Sequence, residues 1–259
     1  MKHHFGRPVL VFAFALLATS NQARGSLITF SSRTMFDAAA PGLAIEGFES
    51  GNVASGAFKT CPSPLDATSN NACFNAGGIL TGIQFYGYLS MSFPPNPSLF
   101  PPSPSSDGLV LLRDDFGVST AALSVNFANS ILSIVPTTPA NAIGFDALVM
   151  PGTSGGGCFP LNIEVYGPGN SLLSSTSSAC GSTSGSFFGA INTSGPISRI
   201  NLYTDLVVPD WAGVDNVAFG NTPEPGMLAL VAGGLAAIGW RAFVRRSSDS
   251  QSSRARTVV

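Results

Sequence analysis

Between about Ser26 and Asn221 this chain has no histidine, since His3 and His4 both lie near its start. Ser-His-Asp and Cys-His catalysis therefore lose their base. Zinc sites built on histidine are excluded too, and a cysteine-only site would take all four cysteines. Positive charge is equally scarce. The body holds four basic residues (Arg33, Lys59, Arg113, Arg199) against twelve acids, a net charge of −8. That leaves no cationic face for phosphates and argues against nucleic-acid binding. There is no close Cys-x-x-Cys pair of the redox kind. Gly155-Gly156-Gly157 precedes Cys158 without a strand-to-helix turn, so it is not a nucleotide cradle. A carboxylate-based glycan hydrolase is compatible with twelve acids, but no spacing singles out a pair. The expectation is a protein that is not an enzyme.

What the chain does have is turn formers, with 29 Gly and 19 Pro. Short apolar segments alternate with them. Leu27 to Phe30 reads as a first strand, and Ser31 or Ser32 as the cap of a short helix from Arg33 to Ala40, ended by Pro41-Gly42. Leu43 to Phe48 returns to strand. Ile79 to Phe85 and Tyr88 to Phe93 read as two strands about a glycine-containing turn. Pro94 to Asp107 is a Pro/Ser-rich loop. Further strands are expected at Gly108–Leu112, Ala121–Phe127, Ala142–Met150, Leu161–Tyr166, Ser171–Ser175, Ser186–Ile191, Ile197–Thr204 and Val214–Phe219. Strands this short and close, without strand–helix alternation, predict an all-β fold. The expected architecture is an antiparallel, jelly-roll-like β-sandwich with its first and last strands side by side.

The two ends of the chain carry addresses. Lys2 and Arg7 precede an apolar run from Pro8 to Thr19, too short to cross a membrane comfortably. Ala18-Thr19-Ser20 and Ala23-Arg24-Gly25 offer small residues for signal peptidase, placing cleavage between Ser20 and Gly25. The far end reads Pro223-Glu224-Pro225, an apolar run from Met227 to Trp240, then a basic stop at Arg241, Arg245 and Arg246. The prolines hold an extended peptide that a protease can grip. The apolar run with its basic stop is a membrane-insertion device, oriented by the positive-inside rule. The expected organisation is a Sec signal over 1–25, a β-sandwich over 26–221, a sorting segment with a transmembrane helix over 222–246 and a polar tail over 247–259.

This C-terminal arrangement resembles the PEP-CTERM sorting signal, recognised by exosortases of Gram-negative bacteria. The body strengthens the resemblance. "TFSSRTMFDAAAPGLAIEGFES", "NAIGFDAL", "IEVYGPGNSLL", "FFGAINTSGPISRINLYT" and "AGVDNVAFG" occur in the order seen in many exosortase-dependent surface proteins. The polar extension from Ser247 to Val259 departs from the usual pattern, which stops soon after the basic cluster. The resemblance implies Sec export, transient anchoring in the inner membrane, and exosortase processing near Pro223-Glu224-Pro225. It also implies delivery to the cell surface or an exopolysaccharide matrix. The partners implied are the Sec translocon, signal peptidase and an exosortase, with exopolysaccharide as a further candidate.

Three smaller readings concern sites. An exported chain with an even cysteine count reads as disulfide-bonded. Of three pairings, Cys61–Cys73 with Cys158–Cys180 closes the shortest loops. "VDNVAF" is similar to the last strand of jelly-roll carbohydrate-binding modules, which implies a structural calcium at Asp215 and Glu49 (or Glu46). The alternative is that Asp215-Asn216 makes turn and edge hydrogen bonds. Glycan contact would fall to Tyr86, Tyr88, Tyr166, Tyr203 and a loop Trp211, with Trp211 and Tyr203 favoured. Asn192-Thr193-Ser194 matches a glycosylation sequon.

Overall fold

The computed structural model describes residues 26–89, 108–114, 119–126, 130–150, 160–178, 185–204 and 211–222. Among the described residues there are thirteen strands and one α-helix. In chain order they are β1 (Leu27–Phe30), α1 (Arg33–Ala39), β2 (Ala44–Glu46), β3 (Ala57–Cys61), β4 (Ile83–Leu89), β5 (Leu109–Arg113) and β6 (Ala121–Val125). There follow β7 (Ser130–Pro136), β8 (Ala142–Met150), β9 (Leu161–Tyr166), β10 (Leu172–Ser178), β11 (Ser186–Asn192), β12 (Arg199–Thr204) and β13 (Trp211–Gly220).

The strands form two antiparallel sheets. The larger runs β1-β11-β8-β13-β6-β5-β3, and the smaller runs β10-β9-β12-β7-β4. Strand β13 is the hinge of the larger sheet. One of its edges pairs with β8, and its other edge pairs with β6 at Gly213–Val214 and with β2 at Val217–Phe219. The first strand therefore does not lie beside the last. β1 takes the outer edge against β11, and it is β2 that reaches β13. Helix α1 intervenes between them and carries the chain over the sheet face.

Alternation explains the packing. In β12, Ile200 and Leu202 enter the core while Arg199, Asn201 and Tyr203 take the opposite face. β9 does the same with Ile163 and Val165 inside and Glu164 outside. Phe48, Phe74, Phe85 and Phe145 fill the space between the sheets. A second, smaller cluster lies on the outer face of the larger sheet, where α1 seats Phe36 against Ala142, Ile191 and Ala218.

Two further expectations change. The glycine between the expected strands at Ile79–Phe85 and Tyr88–Phe93 is not in a turn. Gly87 lies inside the continuous strand β4, where a Cβ would run into the carbonyl of Gly108. A glycine in a strand here marks close backbone approach. Strands β3 and β7 were not expected from the sequence. β3 reads Ala-Phe-Lys-Thr-Cys and sits at a sheet edge, so its apolar signal is weak. The helix matches its expected span to within a residue, although Ser32 caps it without a side-chain hydrogen bond. The expected helices at both ends, and the Pro94–Asp107 loop, lie outside the described residues. Among the described residues no helix is long and apolar enough to cross a membrane.

Candidate functional site

Four of the five short body motifs converge on one place, and that place is structural, while IEVYGPGNSLL lies on the smaller sheet. Phe36 of α1 lies over two glycines paired in register, Gly144 of β8 and Gly189 of β11. A Cβ at Gly189 would stand 2.6 Å from the Phe36 ring, and one at Gly144 would stand 2.7 Å from it. Phe30 and Phe187 flank the same ring with centroids at 5.7 and 5.5 Å. Arg33 finishes the seat. It bonds the Asn216 carbonyl at 2.8 Å, approaches Asp146 at 3.1 Å and lies over Phe187 at 4.7 Å.

Asp215 sits beside this seat, at a break in the β13 register. Asn216 adopts φ 49°, the left-handed region that asparagine tolerates. The Asp215 carboxylate accepts from the Asn216 N–H at 2.6 Å, from Thr120 Oγ1 at 2.6 Å and from Asn216 Nδ2 at 3.1 Å. Burial raises its pKa, the Thr120 and Asn216 hydrogen bonds oppose the rise, and the charges of Asp146 and Glu49 add to it. Glu49 is committed elsewhere, to the Ala121 N–H at 3.0 Å and to Arg113 at 3.2 Å. Glu46 is buried and accepts the N–H groups of Phe48 and Leu80, each at 2.7 Å. Burial raises its pKa against those two bonds. Among the described residues no three metal-ligating side chains gather in a group that could hold a metal. Asp215 and Asn216 make their hydrogen bonds at the register break, and Asp215, Glu49 and Glu46 all have protein partners.

The tyrosines are brought together. All four of the chain occupy the outer face of the smaller sheet. The Tyr166 and Tyr203 hydroxyls both donate to Glu164, at 2.6 and 3.1 Å. Arg199 stacks over Tyr166 at 4.1 Å. Asn201, Ser133 and Tyr86 follow across the sheet in register, and Ser133 donates to Asn201 Oδ1 at 2.5 Å. Tyr166, Arg199, Asn201 and Ser133 are buried, whereas Tyr86, Tyr88 and Tyr203 are half-buried. Burial raises the Tyr166 pKa, and the neighbouring Glu164 raises it further. Trp211 is not part of this face. It opens β13 instead of occupying a loop, and its ring packs on the core and on the Val110, Leu112, Ala122 and Leu148 cluster.

Cys61 and Cys73 form a disulfide, and Lys59 holds the same loop by donating to the Asn52 and Ala72 carbonyls at 2.6 and 3.1 Å. Cys158 and Cys180 lie outside the described residues. Asn192 of the sequon is buried and its side-chain Oδ1 accepts from Ser194 N and Oγ at 3.1 and 2.6 Å, a turn rather than an exposed acceptor. The sequence did not single out Asn141. Its side chain bonds Thr222 N at 2.7 Å and Thr222 Oγ1 at 3.1 Å, pinning the last described residue to the start of β8.

The PEP-CTERM protein-sorting motif is matched over residues 221–246, which include Pro223, Glu224, Pro225, Arg241, Arg245 and Arg246. The motif implies exosortase-dependent processing and a cell-surface or extracellular destination. A search of curated proteins finds no match. Among solved structures, a family 29 carbohydrate-binding-module mutant complexed with cellulohexaose is 12% identical, with a TM-score of 0.32, over 64% of this chain and 100% of that chain. A second mutant of the same module is 11% identical, with a TM-score of 0.32, over 66% of this chain and 95% of that one. Likenesses this weak assign no ligand.

Proposed function

We propose that this chain is an exported, exosortase-processed protein of the cell surface or extracellular matrix. Its β-sandwich is structural or adhesive cargo and is not an enzyme. The observation that carries this reading is the sorting motif, which starts where the last strand of the sandwich ends. The tail addresses the protein, and the disulfide-bonded sandwich is what is displayed. The apolar run after Pro225 holds it in the inner membrane until processing. The missing histidines and the hydrogen-bonded carboxylates support a role without catalysis. Fractionation of the native host tests the proposal. The body is expected in the surface or extracellular fraction only while the exosortase gene is intact. An unchanged distribution after its deletion would overturn the sorting reading.

One observation favours glycan binding as the second reading. The smaller sheet sets four tyrosines beside Glu164, Asn201 and Arg199, a mixture of ring faces and hydrogen-bonding groups suited to sugars. The half-buried Tyr86, Tyr88 and Tyr203 would make the contacts. A glycan array probed with the protein and with Tyr203→Ala tests it. Binding that weakens in the variant supports this reading, and no binding leaves the structural one.

A further inference from the structure

Both ends of the sandwich leave from the same pole. Ser26 donates its N–H to Thr193 Oγ1 at 3.1 Å, just past the end of β11. The neighbouring Asn192 N–H reaches the Asn141 carbonyl at 2.8 Å. Asn141 in turn binds Thr222 through its side chain at 2.7 and 3.1 Å. Asn221 is fixed as well. Its Nδ2 donates to the Pro139 carbonyl at 2.9 Å, and its Oδ1 accepts the Asn141 N–H at 3.2 Å.

These bonds form a clamp, and the residue after the clamp is Pro223 of the sorting motif. Only residues 223–226 separate Thr222 from the apolar run that starts at Met227. Four residues span at most about 14 Å when fully extended. A protease that grips an extended peptide needs free backbone on both sides of its target. Here the N-terminal side is already bonded to the folded body.

We propose that the Asn141 clamp ties Thr222, the residue that precedes Pro223, to the sandwich and so limits how fast an exosortase can engage the sorting motif. This rests on the sorting function proposed above. Asn141 is a positioning residue, acting through its hold on Thr222. Processing breaks one backbone amide: the C-terminal piece leaves as the amine, and the acyl group of the body passes to water or to an acceptor nucleophile. The clamp takes no part in that chemistry. It sets the fraction of time for which residues 220–222 are free to enter the enzyme, a local opening equilibrium.

The test is pulse–chase labelling of the full chain in its native host, with C-terminal mass as the readout. Asn141→Ala removes the side-chain bonds to Thr222 and should speed processing about tenfold, because losing each bond weakens the closed state modestly. Asn141→Asp keeps an acceptor for the Thr222 N–H and should fall between. A Gly-Ser spacer inserted between Thr222 and Pro223 leaves the clamp intact and should speed processing without changing the melting temperature of the body. If Asn141→Ala fails to fold, the spacer decides. Unchanged or slower processing with the spacer would overturn the clamp alone. A wild-type chain that is never processed would overturn both the clamp and the sorting function.

Discussion

Replacing Gly189 by alanine should unseat α1. The new Cβ would stand 2.6 Å from one Phe36 ring carbon and 2.9 Å from Phe187. Phe36 is fully buried and has no free side to move into, since Gly144 lies as close beneath it. Overpacking of this sort costs about 1–3 kcal/mol. Expelling the ring altogether would approach the roughly 3–5 kcal/mol of a Phe→Ala change. Alanine recovers about 0.5–1 kcal/mol through its stiffer backbone. The net expectation is a loss of about 2–3 kcal/mol, or about 4–12 °C in melting temperature for a body of this size. A double-mutant cycle isolates the contact. Phe36→Ala alone should cost about 3–5 kcal/mol, and adding Gly189→Ala to it should cost nothing further, a coupling of about 2–3 kcal/mol. Urea denaturation followed by circular dichroism measures all four proteins. Additive effects, or a Gly189→Ala loss under about 0.5 kcal/mol, would refute the docking argument.

Gly87→Ala should be harsher, with at least about 3 kcal/mol lost, because the colliding atom is backbone and cannot rotate away. A soluble variant with the wild-type melting temperature would contradict it. Cys61→Ser with Cys73→Ser should cost about 3 kcal/mol by chemical denaturation, since the bridge closes a separation of 12 residues. An unchanged denaturation midpoint would contradict that. Asp215 has a raised pKa, so its contribution to stability is complete below the ordinary carboxylate range and is lost as pH rises through the folded-state value. Asp215→Asn should therefore flatten the fall in melting temperature as pH rises above the ordinary carboxylate range, and match or exceed wild type at the upper end. Glu46 carries a shift of the same sign and keeps part of the slope. A slope unaltered in the variant would refute the assignment.

Much of this fold was legible because its strands follow the simplest rule. Ala142–Met150 and Leu161–Tyr166 are bounded by Gly, Pro and Asn, and both strands match to the residue. Gly87 shows where local reading fails, because its reason is a carbonyl that arrives from a distant residue, Gly108. The order of strands failed for a similar reason. Nothing within Leu27–Phe30 records that its partner is β11 and not β13. The roles of Gly144 and Gly189 were hidden because each depends on Phe36 of α1 packing across the sheet. The four tyrosines could be named from the sequence, but their shared face comes from the register of three strands. The sorting motif was legible in full, being a linear signal read from consecutive residues.

If the tail delivers this sandwich, the mature chain ends near the sorting motif. The mass of the mature C-terminus in the native host, with and without the exosortase, tests it most directly. Loss of everything beyond the Pro223-Glu224-Pro225 region is expected only when the enzyme is present. An intact Val259 in both strains would contradict it.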